Sequence, residues 1–471
     1  MDNTTLMYSA LALHIAVMLA VGLHHARRAK TFGDFVIAGG RQGGGLITLS
    51  LLASILGGSA TLGLADLTLS IGFPAFWWLG VGSAGLLLQA WLLSARVRGL
   101  GARTLPDVAG LTVGTEARVL TGLIIAVTWT GIVAAQFTAL SRILAALTGQ
   151  EDTRALLALV SALIILYTAA GGQLSVLRTD ALQAALVCGG MAAACVWLYA
   201  SSGEGPGGWL AGVEPLNDRF GWSDLASLLL LVGGSYFCGP DIFSRNLSAR
   251  DGATARRSTA AAAALLMLFG LIVVALGQWA AARGVRDGAL VALIREYLPA
   301  PLALLLGLGL VSALVSSADT CLMSAASILE HDFLRRESVR RTRVFILLIG
   351  GLSLGVALLR SDIIGLLLAA YSVYAPGVVV PLCVAVMAHG RRPVRRPLWL
   401  AGVATGGLCG FASGTLAAPW LALTGMGLSA VLALAALARP ARAAFPLFMP
   451  GIRLFVNFPQ NFFKSFMKPR A

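Results

Sequence analysis

Charge is scarce in this sequence. Only 12% of its 471 residues are Asp, Glu, Lys or Arg, about half the share in a soluble globular chain. With 58% hydrophobic residues beside so few charges, a water-soluble globule is excluded. Cysteine and histidine are scarce too, at six and five. Cys188, Cys195, Cys238, Cys321, Cys383 and Cys409 lie in or at the ends of apolar stretches, and none forms a C-x-x-C pair. That spacing excludes a disulfide framework and a transition-metal site, and it suits small buried hydrophobes. No serine has a plausible nearby His to act as its base, so no catalytic residue is assigned and an enzyme is not expected.

What is abundant is apolar sequence in blocks of roughly 20 residues, the length of a membrane-spanning helix. Thirteen spans are expected, at 6–24, 44–67, 71–95, 117–147, 153–171, 178–200, 223–243, 258–283, 297–331, 341–360, 362–388, 397–416 and 418–438. The net charge of +14 would suit nucleic acid, but its placement argues against that partner. Lys and Arg cluster on alternate sides of successive blocks, in "HHARRAK", "ARVRGLGAR", "SRNLSARDGATARR", "FLRRESVRRTR" and "HGRRPVRRP". By the positive-inside rule these loops are cytoplasmic. An odd number of spans then puts the N-terminus outside and the C-terminus in the cytoplasm, in a plasma (inner) membrane. "MDNTT" before the first block carries no basic residue, so that block reads as a retained span, not a cleaved signal. Residues 1–471 form one transmembrane domain. Its Phe-, Lys- and Arg-bearing tail, 439–471, is expected to lie in the headgroup plane or to be an ordinary disordered tail.

The blocks echo one another. Span 44–67 is interrupted by Gly57-Gly58 and span 223–243 by Gly233-Gly234, while 117–147 and 297–331 are the longest. With 6–24 set aside, this is a repeat of five spans, 44–200 and 223–388, followed by two further helices at 397–438. Five is odd, so the second half runs inverted, an organisation that points to secondary transporters with a site between the interrupted helices. The competing reading of each glycine pair is close helix packing.

Span 297–331 carries a polar stripe. Ala313, Ser316 or Ser317, Thr320, Ser324 and Ser327 recur at helical spacing, with Asp319 beside them. A lone membrane serine bonds back to its own helix. Five small or polar positions with a carboxylate at mid-depth exceed that use, and the carboxylate marks a functional site. Hydroxyls together with carbonyls freed by an interrupted helix suit a hard monovalent cation, sodium.

These segments resemble the sodium:solute symporter family, which has a LeuT-type fold. "SALVSSADTCLMSAASILEHDFLRR" resembles its eighth core helix, "GGQLSVLRTDALQAALV" the entry to its fifth, and "GPDIFSRNLSARDGATARR" the exit of its sixth. The resemblance implies an all-α fold with a five-plus-five inverted repeat. It also implies a Na+ site made by the carbonyls of Ala53, Leu56 and Ala313 and the hydroxyls of Ser316 and Ser317. Asp180, with Asp319 and Thr320, is a candidate for a second cation position or an exit stage. Two close carboxylates otherwise repel unless a cation lies between them. Where some members carry Asp, Asn or Trp before the interruption, this chain has Ile55, and Ser59, Ala60 and Thr61 stand where sugar-carrying members have polar contacts. Gly57, Gly58, Ser59, Trp129, Gln136, Gly233, Gly234, Tyr236, Tyr371 and Tyr374 are candidates for the substrate cavity. The implied activity is sodium-coupled import of a small polar organic solute, with Na+ as coupling ion and no organic cofactor. The expected partners are the solute and the lipid bilayer, without an obligate protein partner. The rivals are a proton-coupled carrier of the same fold, in which Asp319 or Asp180 titrates, and a transporter-like sensor.

Overall fold

Contiguous apolar runs of this length satisfy their own backbone in lipid by forming helices. The computed structural model describes residues 3–26, 31–150, 152–203, 213–359, 362–416 and 418–437, and nearly all of them are helical. The basic, Phe-rich tail lies outside the described residues. In chain order, α1 (Asn3–Ala26) and the short α2 (Phe32–Ile37) precede a bent pair, α3 (Gly44–Ile55) and α4 (Leu64–Ile71). Next come α5 (Trp77–Leu92), the short α6 (Ser94–Gly99) and α7 (Leu105–Thr112), and the long α8 (Thr115–Thr148) and α9 (Arg154–Ser201). A second interrupted region holds α10 (Trp222–Leu228), α11 (Gly234–Phe237) and α12 (Pro240–Ser248). It is followed by α13 (Gly252–Ala282), α14 (Ala289–Ala292), α15 (Ala300–Ile328), α16 (Val339–Leu359), α17 (Ile363–Tyr374), α18 (Val380–Ala388), α19 (Arg396–Thr415) and α20 (Trp420–Ala435).

Among the described residues eight helices are long and apolar enough to cross a membrane, nine when the bent pair is one span. The bend between Gly44–Ile55 and Ser59–Ile71 is 67°. Two expected spans, 153–171 and 178–200, are joined in α9, whose 48 residues would reach about 72 Å if straight. They do not run straight, because Gly172 at φ 71° breaks the helix where the two spans were expected to part. A Cβ there would lie 2.7 Å from the Phe35 ring of α2, so the kink and the close approach both need glycine. The spans beginning at Thr115 and Ala300 each run 34 residues.

Position sets the role of α15. Every residue from 309 to 328 is buried, and the helix packs against both α9 and α8. A rod enclosed all round in this way presents its polar stripe to other protein groups and not to lipid. The lipid-type surface lies elsewhere, on residues such as Leu352, Leu408 and Phe411.

At the basic end of the bundle, the two interrupted regions are tied by backbone. Gln42 N–H donates to Ser248 O at 3.0 Å and Arg250 N–H to Gln42 O at 3.0 Å. Arg98 spans the junction, donating to Ala249 O at 2.6 Å and Gly40 O at 3.0 Å.

Candidate functional site

The interruption after α3 is built from misdirected amides. Gly57 N–H bonds to Ile55 O, two residues back, and Gly58 N–H goes to Gln136 Oε1 of α8 at 2.7 Å. Ala53 O and Ser54 O thereby lose their helical donors. Ser317 fills one vacancy, its hydroxyl donating to Ser54 O at 2.8 Å. A Cβ on Gly57 would fall 2.4 Å from Gln136 Oε1 and 2.7 Å from Ser317 Oγ, so only glycine admits this approach. Ala53, Leu56, Ala313, Ser316 and Ser317 are all buried at this junction of α3 and α15.

One turn toward the basic end lies a charged network that the sequence reading only partly anticipated. Asp180 of α9 accepts from Ser316 at 2.6 Å, from Ser50 of α3 and from Arg245 Nη2 of α12 at 2.7 Å. Arg245 also donates to Ser50 Oγ at 3.0 Å and to Thr320. Thr320 and Tyr167 both bond Asp319, and Tyr167 also reaches Thr179 at 3.3 Å. Asp180, Arg245 and Asp319 are fully buried. Beside a cation role, the sequence also allowed Asp180 an ion pair with Arg178 or a loop arginine, and its partner is Arg245. That residue stands two positions past the expected end of span 223–243, inside a string read as a basic loop. Ser50, Ser54 and Tyr167 were also missed. Each was an ordinary hydroxyl within an apolar span, and only the tertiary fold gives it a partner.

With both ionised, two carboxylates against one guanidinium would leave one unit of negative charge in a dry interior, where each uncompensated ion costs several kcal/mol. Either a monovalent cation or a proton on one carboxylate removes that imbalance. Because Ser316 and Ser317 spend their hydrogens on Asp180 and Ser54 O, their oxygen lone pairs remain available to such an ion. The donor set is all oxygen, which fits Na+.

Above this layer lies a cavity of about 40 Å³, room for about three waters. Of the cavity candidates, Ser59, Trp129, Gln136, Tyr236 and Tyr371 line it, while Gly57, Gly58, Gly233 and Gly234 do not; Ser317 and Asp241 line it in addition. Tyr374 does not line it. Its ring lies edge-on to Trp129 and its hydroxyl donates to Cys238 O, so it buttresses the wall from behind. The second interruption is also displaced. At Gly233-Gly234 the chain stays helical, with φ near −60°, and the break comes at Cys238 and Gly239, before Pro240. Close packing explains Gly233, where a Cβ would meet the Val81 carbonyl of α5 at 3.0 Å.

A second cavity, about 20 Å³, lies toward the basic end and is lined by Gln173, Ser244, Ser324, Thr104 and Arg103 among others. Thr104 connects its wall to a cluster of ion pairs. Arg118 of α8 bridges Asp107 at 2.8 Å and Asp332, at the end of α15, at 2.6 Å. Thr104 donates to Asp332 at 2.6 Å. Burial works to raise the Asp107 carboxyl, but His331, the Arg103 N–H and Arg118 outweigh it and hold it below the ordinary range. Asp107, His331 and Asp332 have ligand atoms within 4.8 Å of one another, but Arg118 bonds both carboxylates and Thr104 donates to Asp332, so the cluster reads as a tie between the segments that carry them.

The model of the sodium:solute symporter family matches residues 35–391. The sodium/proline symporter of Salmonella typhimurium (strain LT2) is 28% identical over 270 residues, 53% of this chain and 52% of that protein. The match therefore spans about half the length of that relative. Among solved structures, a Na+-coupled sialic acid symporter in its substrate-bound outward-open state superposes with a TM-score of 0.76 at 18% identity, covering 94% of this chain and 100% of that one. Mhp1, a nucleobase-cation-symport-1 family transporter in a closed conformation, gives 0.58 at 15% identity, covering 85% and 93%. MhsT in complex with L-phenylalanine gives 0.55 at 14%, covering 82% and 98%. At these identities the likeness is one of fold, the LeuT type.

Proposed function

Because this chain belongs to the sodium:solute symporter family, we propose that it is a secondary active transporter importing a small polar organic solute together with Na+ by alternating access. On this reading the thirteen spans form two inverted five-helix repeats with one helix before and two after them, in the inner membrane, N-terminus outside. The ion is held by the carbonyls of Ala53, Leu56 and Ala313 and the hydroxyls of Ser316 and Ser317. The observation that carries the reading is the break where α3 stops, which releases Ala53 O and Ser54 O, the second bonded by Ser317 of α15, at a junction close enough to need glycine at 57. Sodium there bonds both helices at once and so favours the arrangement in which they meet, and only such differential affinity shifts the balance between states. About 100 mV of membrane potential adds about 2.3 kcal/mol per charge carried inward.

Asp180, Asp319 and Thr320 form the exit stage, or a second cation position, with Arg245 as its resident positive charge. The unbalanced carboxylate also supports a second reading, in which a proton on Asp319 replaces sodium as the coupling ion. Uptake into proteoliposomes separates the two. A Na+ gradient at fixed pH is expected to drive accumulation, and a pH gradient without Na+ is not. Accumulation driven by the pH gradient alone would contradict the sodium reading.

A further inference from the structure

The sequence reading left the cargo open, and the cavity narrows it. Asp241 contributes the only carboxylate among the residues lining the cavity, and no Lys, Arg or His lines it. It sits in the first turn of α12, directly after Pro240. Among the described residues no ion pair reaches its side chain. Arg245, one turn on, is committed to Asp180, Ser50 and Thr320, and touches Asp241 only at its backbone carbonyl, at 3.5 Å. Its half-buried side chain makes no ion pair, so an incoming cation finds a carboxylate to pair with in the cavity wall.

The rest of the wall says which cation. Trp129, Tyr236 and Tyr371 line the same cavity. Aromatic faces attract organic ammonium groups but supply a poor shell for a hard metal ion, which needs several oxygens. A solute bearing only negative charge meets Asp241 with repulsion. Resting on the transport reading above, we infer that the co-transported solute carries a positively charged nitrogen, an amine or a quaternary ammonium, which pairs with Asp241 and packs against Trp129, Tyr236 and Tyr371. The cavity is too small for such a solute until its walls part, so recognition belongs to the opened state.

The test is thermal denaturation of the full purified chain in saturating Na+, with choline, L-proline and L-lysine as probes and D-glucose and succinate as comparators. At least one nitrogen-bearing probe is expected to raise the melting temperature, and the comparators are not. Asp241→Asn is expected to weaken that response by roughly 10- to 100-fold, the worth of a charge-assisted hydrogen bond, while its shift with Na+ alone persists and reports an intact fold. Asp241→Glu, which keeps the charge, is expected to keep the preference for nitrogen-bearing probes even should the Asn variant fail to fold. Stabilisation by glucose or succinate alone, silence of all three nitrogen probes in a protein that responds to Na+, an unaltered probe response in a folded Asp241→Asn, or loss of the preference in Asp241→Glu overturns this inference only. A wild-type protein indifferent to Na+ overturns it together with the transport reading.

Discussion

A few atoms decide whether the interruption in α3 can form. An alanine at Gly57 would drive its methyl into Gln136 and Ser317, so Gly57→Ala is expected to cost about 1–3 kcal/mol, as overpacking does, and to abolish stabilisation by Na+. A melting curve in Na+ and in K+ reads both. Arg245 makes a harder test. Its removal strands Asp180 in the interior, and Arg245→Ala is expected to destabilise by about 3–5 kcal/mol. Adding Asp180→Ala removes the stranded charge and is expected to recover part of that loss, a coupling that a double-mutant cycle measures. Legibility at this scale followed chemistry. Ser316, Ser317, Asp319 and Asp180 were visible because polar groups at membrane depth are anomalous. Arg245 and Asp241 were not, because they sit just where span 223–243 hands over to a basic, loop-like string, and charge at a helix end is ordinary. Tyr167 looked like any other aromatic in an apolar run, and only the packing of α9 on α15 reveals its partner.

Breaks, rather than lengths, carry the information in the helices. The interruption at Gly57-Gly58 was legible because two glycines in an apolar span are unusual. The matching pair at Gly233-Gly234 misled, since the same residues also let helices touch, and α5 uses them so. The real second break needs Cys238, Gly239 and Pro240 together, where proline lacks an N–H and the residue before it leaves the helical region. Gly172 was hidden between two expected spans and emerges as the kink against α2. At the basic end, the tie of Arg118 to Asp107 and Asp332 joins the start of α8 to α7 and to the turn after α15, and Thr104, which lines the lower cavity, bonds the same Asp332. Arg118→Ala leaves Asp332 buried without its cation. It is expected to cost about 1.5–3 kcal/mol, the range of a charged hydrogen bond, and to speed alkylation of a cysteine placed at Ser327, on the wall of that cavity. Unchanged labelling would show that the tie does not guard the passage.

For the whole molecule, the sequence conveyed class and direction well. Scarce charge, apolar blocks and the placement of Lys and Arg gave a helical membrane protein, and three ordered motifs gave the family. The exact pairing of helices and the size of the cavity depend on contacts between residues far apart in the chain, which no local pattern encodes. The account as a whole rests on a Na+ ion gripped between α3 and α15. The most direct measurement compares the melting temperature in Na+ with that in K+, for the native chain and for Ser316→Ala/Ser317→Ala. A bound ion at a hundred times its Kd stabilises by about 2.7 kcal/mol. The native protein is therefore expected to melt several degrees higher in Na+ than in K+, and the double variant at the same temperature in both. A double variant that keeps the full Na+ shift would contradict the site and the mechanism built on it.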